Sequence, residues 1–275
     1  MELAPGIHRI TVGEAPGPGL FPPNSYLVTG SETAVMIDSG WDREGHIQAR
    51  LDYWAQLGRP RLASIILTHR HPDHVGGAAA IGKATGATIV AHPEERAPVE
   101  ERMNGAARVG RLASDGETLE LGGLTLELIH SPGHTRGSLS VFVRERQALF
   151  TGDNVMGAGT SVIEPEEGDL GLYLQSLERL LRYPVAVIYP GHGPVVSDAQ
   201  AKLQGLIQHR QEREQQVIVL LREGSRTVDQ LLAAIYPELD NHLHHLARNQ
   251  VRSHLLKLAQ EGRVMALAGE AWALA

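Results

Sequence analysis

The sequence predicts an α/β fold with substantial antiparallel content, followed by a small C-terminal module of helices closed by a hairpin. Three observations carry this reading. Short β-branched segments crowd the first forty residues and dominate again from Gly110 to Asn154. Between and after them, strand-like segments alternate with helical ones, as in mixed α/β layering. Beyond His192 the pattern changes to long helical periodicity ending in two short strands.

The elements follow in order. Ile7–Val12, Ser25–Thr29 and Thr33–Ile37 read as strands bounded by turn residues, and the stretch Gly13–Pro23 between the first two is a Gly- and Pro-rich loop. Asp42–Leu57 has helical spacing, with Ile47, Leu51, Trp54 and Leu57 three or four residues apart. Leu62–Leu67 is an apolar strand, Gly76–Thr85 a helix and Ala87–Ala91 another strand. Leu124–Ile129 and Ala148–Phe150 are strands, Leu172–Leu181 a helix and Val185–Tyr189 the last strand of this part. Asp198–Arg222 then forms a long helix with Asp198 as N-cap. Thr227 caps a second, Val228–Ile235, and Ala247–Glu261 is a third, with Val251, Leu255, Leu258 and Ala259 on one face and Gly262 ending it. Val264–Leu267 and Ala271–Leu274, joined by Ala268-Gly269-Glu270, read as a terminal wing. The expected division is therefore a domain over residues 1–204 and a winged-helix-like module over residues 205–275.

Composition narrows the classes. The chain has 275 residues, enough to bury a sizeable core, and a net charge of −7. Residues 1–204 hold 17 basic and 24 acidic side chains, and residues 205–275 hold 8 of each, which argues against a broad non-specific nucleic-acid surface. No 18-residue apolar stretch suggests a membrane span. The start, Met1-Glu2-Leu3-Ala4-Pro5-Gly6, has neither the basic residues nor the apolar core of a signal peptide, so a cytoplasmic protein is expected. With no cysteine, disulfides and thiolate ligands are excluded.

The chemistry concentrates at strand ends. Thr68-His69-Arg70-His71-Pro72-Asp73-His74 directly follows the strand Leu62–Leu67. Neutral imidazoles and carboxylates suit Zn²⁺ and similar divalent ions. His69 and His71 alternate onto one face of an extended segment, whereas Asp73 and His74 lie past Pro72, where the chain turns, and point at a second centre. Three further strand-like stretches end in glycine-flanked ligand types: Gly133-His134, Gly152-Asp153 and Gly191-His192. Glycine permits the close backbone approach that a crowded site needs. A second cluster, His242, His244 and His245, lacks strand-end placement and a neighbouring carboxylate, and reads as surface.

On these residues the chain resembles the metallo-β-lactamase superfamily. The resemblance implies a four-layered αβ/βα sandwich carrying two Zn²⁺, with Mn²⁺ or Fe also accommodated. His69, His71 and His134 match its first metal site, Asp73, His74 and His192 its second, and Asp153 the bridging carboxylate. A bridging Asp, with no Cys, resembles the hydrolase branches such as glyoxalase II, lactonases and RNA-processing nucleases. In this superfamily the loop matching Gly13–Pro23 overhangs the metals, so Leu20 and Phe21 at its tip are candidate substrate contacts. The stretches Gly157–Ser161, Tyr189–Val195 and His209-Arg210 with Glu214-Gln215-Gln216, together with the winged tail, resemble the β-lactamase-like protein 2 group, which includes an endoribonuclease acting on single-stranded RNA.

The implied mechanism is hydrolysis by a hydroxide bridging the two metals, with Asp73 as the catalytic group that orients it and accepts its proton. The lead expectation for substrate is single-stranded RNA, with Thr160 and Ser161 offering hydroxyls and the nearby glycines offering N–H groups to a phosphate. Arg248, Arg252, His254 and Lys257 form the candidate strand-holding face of the winged tail, but the neutrality of the module favours a structural appendage over a nucleic-acid reader. The runner-up is a thioester or lactone hydrolase of the glyoxalase II type, favoured by the acidic first domain. A winged-helix regulator with a relic site is the third reading, and an intact ligand set opposes it. A homodimer through the tail is compatible with the sequence.

Overall fold

A computed structural model describes residues 1–14, 21–240 and 243–275, which form two compact units. Leu20 and His242 lie outside the described residues. Unit 1 holds residues 1–131, 137–160 and 184–200. Its first sheet has seven strands in chain order: β1 (Glu2–Ala4), β2 (Ile7–Thr11), β3 (Asn24–Thr29), β4 (Ala34–Ile37), β5 (Leu62–Ile66), β6 (Thr88–Ala91) and β7 (Arg111–Leu112). The first four are antiparallel, and β4 to β7 are parallel. The second sheet, in order β12-β11-β10-β9-β8, contains β8 (Glu117–Glu120), β9 (Thr125–His130), β10 (Leu139–Val143), β11 (Ala148–Phe150) and β12 (Val187–Tyr189).

The strand periodicity explains how the core divides. Tyr26, Val28, Val35 and Ile37 on one face of β3 and β4 pack with Leu126, Leu128, Val141 and Phe150 of the second sheet. Their alternate neighbours Leu27, Ala34 and Met36 pack on the other face with Ile47, Leu51 and Trp54 of helix α1 (Glu44–Gln56) and Ile81 of α3 (Ala78–Thr85). The first sheet is therefore apolar on both faces, which is why its central strands read as continuous hydrophobic runs. Each such aliphatic side chain contributes about 1.5–3 kcal/mol on burial. Between β5 and α3 the chain makes the one-turn helix α2 (Pro72–Val75), where the turn after Pro72 was expected. The helix α4 (Arg96–Arg102) has no counterpart among the elements expected from the sequence.

Unit 2 holds residues 132–136, 161–183 and 201–275. The expected boundary between residues 204 and 205 falls inside α6 (Ala199–Arg222), and two earlier segments join the C-terminal module. The physical reason is packing: α5 (Leu170–Leu180) contacts α8 (His244–Gln260), and the 132–136 loop is bonded to Glu167 and Asp169, which lead into α5. Val217, Leu221, Leu231, Val251, Leu255 and Leu258 form a separate core joining α6, α7 (Val228–Ile235) and α8. Thr227 caps α7 as expected, its hydroxyl accepting from the Gln230 N–H while Gln230 Oε1 accepts from the Thr227 N–H. The wing has three strands, not two. The short β13 (Arg226–Thr227) adds to the hairpin of β14 (Val264–Ala266) and β15 (Ala271–Leu274). No helix among the described residues is long and apolar enough to cross a membrane.

Candidate metal centre

Strand ends of both sheets of unit 1 deliver imidazoles and carboxylates to one place. His69, His71 and Asp153 offer ligand atoms within 4.8 Å of one another, and so do Asp73, His74 and His192. The β5 strand presents His69, α2 presents Asp73 and His74, and the loops after β11 and β12 present Asp153 and His192. Two glycines make the approach possible. A Cβ on Gly191 would lie 2.4 Å from Asp153 Oδ1 and 2.8 Å from His74 Cε1. Gly152 has φ +49°, and a Cβ there would lie 2.5 Å from Thr68 Oγ1.

A residue that sequence reasoning missed organises this cluster. Asp38 stands just past β4, buried, with φ +57°. Its Oδ1 accepts the Thr68 N–H at 2.8 Å and its Oδ2 accepts the Thr68 hydroxyl at 2.8 Å. Oδ2 also accepts the His74 Nδ1–H at 2.7 Å. Because the Thr68 hydrogen goes to Asp38, the Thr68 oxygen accepts from His69 Nδ1–H at 3.0 Å. One carboxylate thus orients two imidazoles through their Nδ1 atoms and turns both Nε2 atoms toward the cluster, where His69 Nε2 lies 3.0 Å from His71 Nδ1. His192 is fixed in the same sense, its Nδ1–H donating to the Phe21 carbonyl at 2.8 Å. Outer partners of this kind hold metal-ligating imidazoles in the orientation an ion needs. Asn24 Nδ2 and the Tyr26 hydroxyl both donate to the Pro190 carbonyl, at 3.0 and 2.8 Å, and pin the loop that carries His192.

The Nε2 atoms of His74 and His192 face each other. His74 Nε2 and His192 Nε2 are 3.2 Å apart, and His192 Nε2 is 3.1 Å from Asp73 Oδ2 and 3.5 Å from Asp153 Oδ2. Nitrogens and carboxylate oxygens at such distances need a positive charge between them, which a shared proton or a metal ion supplies. The electrostatics agree. Burial alone would lower the His74 pKa, but Asp153, Asp38 and Asp73 outweigh it and hold the group well above the usual imidazole range. Burial alone would raise Asp153, but His74 and His192 outweigh it and hold that carboxyl well below its usual range. The donor set therefore fits a divalent ion.

The remaining expected residues divide. His134 belongs to unit 2, buried, with its Nδ1–H donating to the Val162 carbonyl at 2.7 Å and Nε2 as its other nitrogen. Thr160 is exposed, but Ser161 is buried and its carbonyl accepts from Arg210, so its hydroxyl is not presented to solvent as expected. Phe21 lines an open groove of about 350 Å³ with Pro22, Pro194, Gly193, Asn24, Thr11 and Arg9, beside His192. His244 and His245 form the exposed first turn of α8, as a surface reading requires. The basic face of α8 is internally neutralised: Arg248 pairs with Asp229, Arg252 with Glu166 and Lys257 with Glu214, while His254 is buried. Arg70, between the two histidines, is held by a buried Glu95 through two 2.8 Å bonds, and Glu95 also accepts from the Gly137 N–H.

Comparison with known proteins identifies two families along the chain. Residues 18–192 match the family model described as the metallo-beta-lactamase superfamily, and residues 227–272 match the beta-lactamase associated winged helix domain. A beta-lactamase-like protein 2 homolog of Caenorhabditis elegans is 31% identical over 96% of this chain and 87% of its own length. An atrochrysone carboxyl ACP thioesterase of Emericella nidulans is 28% identical over 96% of this chain and 81% of its own length. Among solved structures, a metallo-beta-lactamase family protein of Thermus thermophilus superposes over all of both chains with a TM-score of 0.79 at 25% identity. A beta-lactamase domain protein of Burkholderia ambifaria covers all of this chain and 93% of its own, with a TM-score of 0.87 at 19% identity, and so shares the fold.

Proposed function

Because the chain belongs to the metallo-beta-lactamase superfamily, with that superfamily's fold and associated winged helix, we propose that it is a metal-dependent hydrolase of acyl thioesters or lactones. In this reading His69, His71, His134 and Asp153 would hold one divalent ion, and Asp73, His74 and His192, with Asp153 as the common carboxylate, would hold a second. Bound there, Zn²⁺, Mn²⁺ or Fe supplies Lewis acidity and lowers the pKa of water from about 15.7 toward about 7. The side chains do the rest. Asp38 and Thr68 keep His69 and His74 in the ligating tautomer. The Asp73 carboxylate, partly exposed beside His192, orients the attacking water and accepts its proton.

The observation that carries the substrate class is the groove lined by Phe21, Pro22 and Pro194 beside His192. Its walls suit an acyl chain. The excess of acidic side chains in residues 1–204 favours a neutral acyl substrate over a polyanion. Relatives named ACP thioesterases, at 28–30% identity, are in keeping with it. A second reading, cleavage of single-stranded RNA, rests on the resemblance to the endoribonuclease group and on exposed Thr160, seven residues after Asp153 in the chain. In that reading Thr160 contacts a phosphate, and single-stranded RNA is the partner. The ion pairs that occupy Arg248, Arg252 and Lys257 weigh against the tail as its holder.

The deciding experiment assays metal-loaded protein side by side on acyl-pantetheine thioesters of increasing chain length, a lactone and a single-stranded RNA oligonucleotide. Thioester turnover is expected, with Phe21→Ala raising KM for long acyl chains about tenfold through loss of apolar contact. RNA cleavage without thioester or lactone hydrolysis overturns the proposal in favour of the second reading.

A further inference from the structure

The motif His209-Arg210, singled out in the sequence, has no part in the chemistry above, yet Arg210 is among the largest fully buried side chains of the protein. Burying a guanidinium costs several kcal/mol unless it does something for the fold or the site. The partners of its two terminal nitrogens are neutral. One donates to Gln250 Oε1 at 2.7 Å, the other to the Ser161 carbonyl, and the group lies 5.5 Å over the Tyr173 ring. Ser161 begins a short segment whose next two carbonyls are also taken. The Val162 carbonyl accepts the His134 Nδ1–H at 2.7 Å. The Ile163 carbonyl accepts from the Ser253 hydroxyl at 2.6 Å and from Gln250 Nε2 at 3.3 Å.

Three consecutive carbonyls are therefore fixed, the outer two by α6 and α8 of the winged-helix module and the middle one by His134. A hydrogen bond to a charged donor is roughly twice as strong as a neutral one, so Arg210 is the stiffest of these ties. With both neighbours held, the Val162 carbonyl has one direction in which to point, and the His134 ring follows it.

From this we infer that Arg210, Gln250 and Ser253 are positioning residues for His134, and that the winged-helix module serves as the outer brace of a metal ligand. Its role is then intramolecular, in keeping with the internal pairing of Arg248, Arg252 and Lys257 on α8. The inference rests on the assignment of His134 as a ligand of the first centre.

The test uses the full-length protein stripped of metal and titrated with Co²⁺, whose visible d–d absorption reports ligand number and geometry. His134→Ala, Arg210→Met, Ser253→Ala and Ser253→Thr are compared with the parent, with thermal melting as the control for folding. Outer partners of metal ligands are worth about 10–100-fold in metal affinity. Arg210→Met and Ser253→Ala are expected to weaken the Co²⁺ centre that His134→Ala abolishes by at least about tenfold and to alter its spectrum, and Ser253→Thr, which keeps the hydroxyl, to restore both. Should Arg210→Met fail to fold, the Ser253 pair decides alone. Parent-like titration and spectrum in Ser253→Ala, with one centre lost in His134→Ala, overturns the brace and leaves the ligand intact. Two full equivalents in His134→Ala overturn both.

Discussion

Asp38→Asn isolates the charge of the carboxylate that organises the metal ligands. The backbone there has φ +57°, a conformation that Asn tolerates as well as Asp, so the change leaves the chain path undisturbed. Asp38 accepts three hydrogen bonds, from the Thr68 N–H, the Thr68 hydroxyl and the His74 Nδ1–H. An amide has one acceptor and one donor end and cannot satisfy all three. With its oxygen toward His74, its NH₂ faces the Thr68 N–H, leaving a buried donor unmatched at about 1–3 kcal/mol. With its NH₂ toward His74, the proton of that ring moves to Nε2, the atom 3.2 Å from His192 Nε2 and 3.4 Å from Asp153 Oδ1. That proton occupies the place of an ion. Metal affinity should fall about 10–100-fold, equivalent to about 1.4–2.7 kcal/mol. Titration with Zn²⁺ in a chelator-buffered series measures this, with circular dichroism to confirm the fold. Two equivalents bound at parent affinity would refute the role given to Asp38.

Two further outcomes are expected. Gly191→Ala places a methyl 2.4 Å from Asp153 Oδ1, so elemental analysis should find at least about one metal equivalent lost and a lowered Tm, and parent-like metal content contradicts the packing. His254 is pushed from its usual 6.5 down to about 3 by burial, with Arg210, Lys257, His209 and Arg213 adding to the shift. Since the folded-state value is the depressed one, the neutral ring's stability is present above pH 6.5 and lost as the unfolded chain takes up a proton below it. Between about pH 7 and about pH 5 the parent should lose about 2 kcal/mol more than His254→Leu in urea unfolding, and parallel losses would contradict this.

The candidate ligands stood out because each follows an apolar strand and sits beside glycine or in a dense histidine run. Asp38 obeys the same rule, following Ala34–Ile37 and preceding Gly40, but as a lone Asp without histidine it carried no signal of its own. Ser161 misled for the opposite reason. Its hydroxyl suggested a phosphate contact, whereas tertiary packing against Arg210 turned the residue inward. The pairing of Arg252 with Glu166 joins residues 86 apart, so the neutral face of α8 was invisible to local charge reading. The two-residue β13 is below the length at which alternation can be recognised, and the discontinuous unit 2 defeats any boundary drawn at one point in the chain.

The parallel pairing of β11 with β12, Phe150 opposite Tyr189, has a consequence for the order in which unit 1 assembles. His74 and His192 are 118 positions apart, and they meet only after that pairing closes a long excursion of the chain. Long-range closures of this kind come late and slow the search for the native state. The unfolded chain offers no preformed cage, so an ion joins at the end and captures what has already formed. An ion at about a thousand times its Kd adds about 4 kcal/mol to the native form. If an ion is held there, the persistence of the closed sheets would depend on its availability: without it they would stay formed but reopen more easily, which limited proteolysis with and without chelator would read.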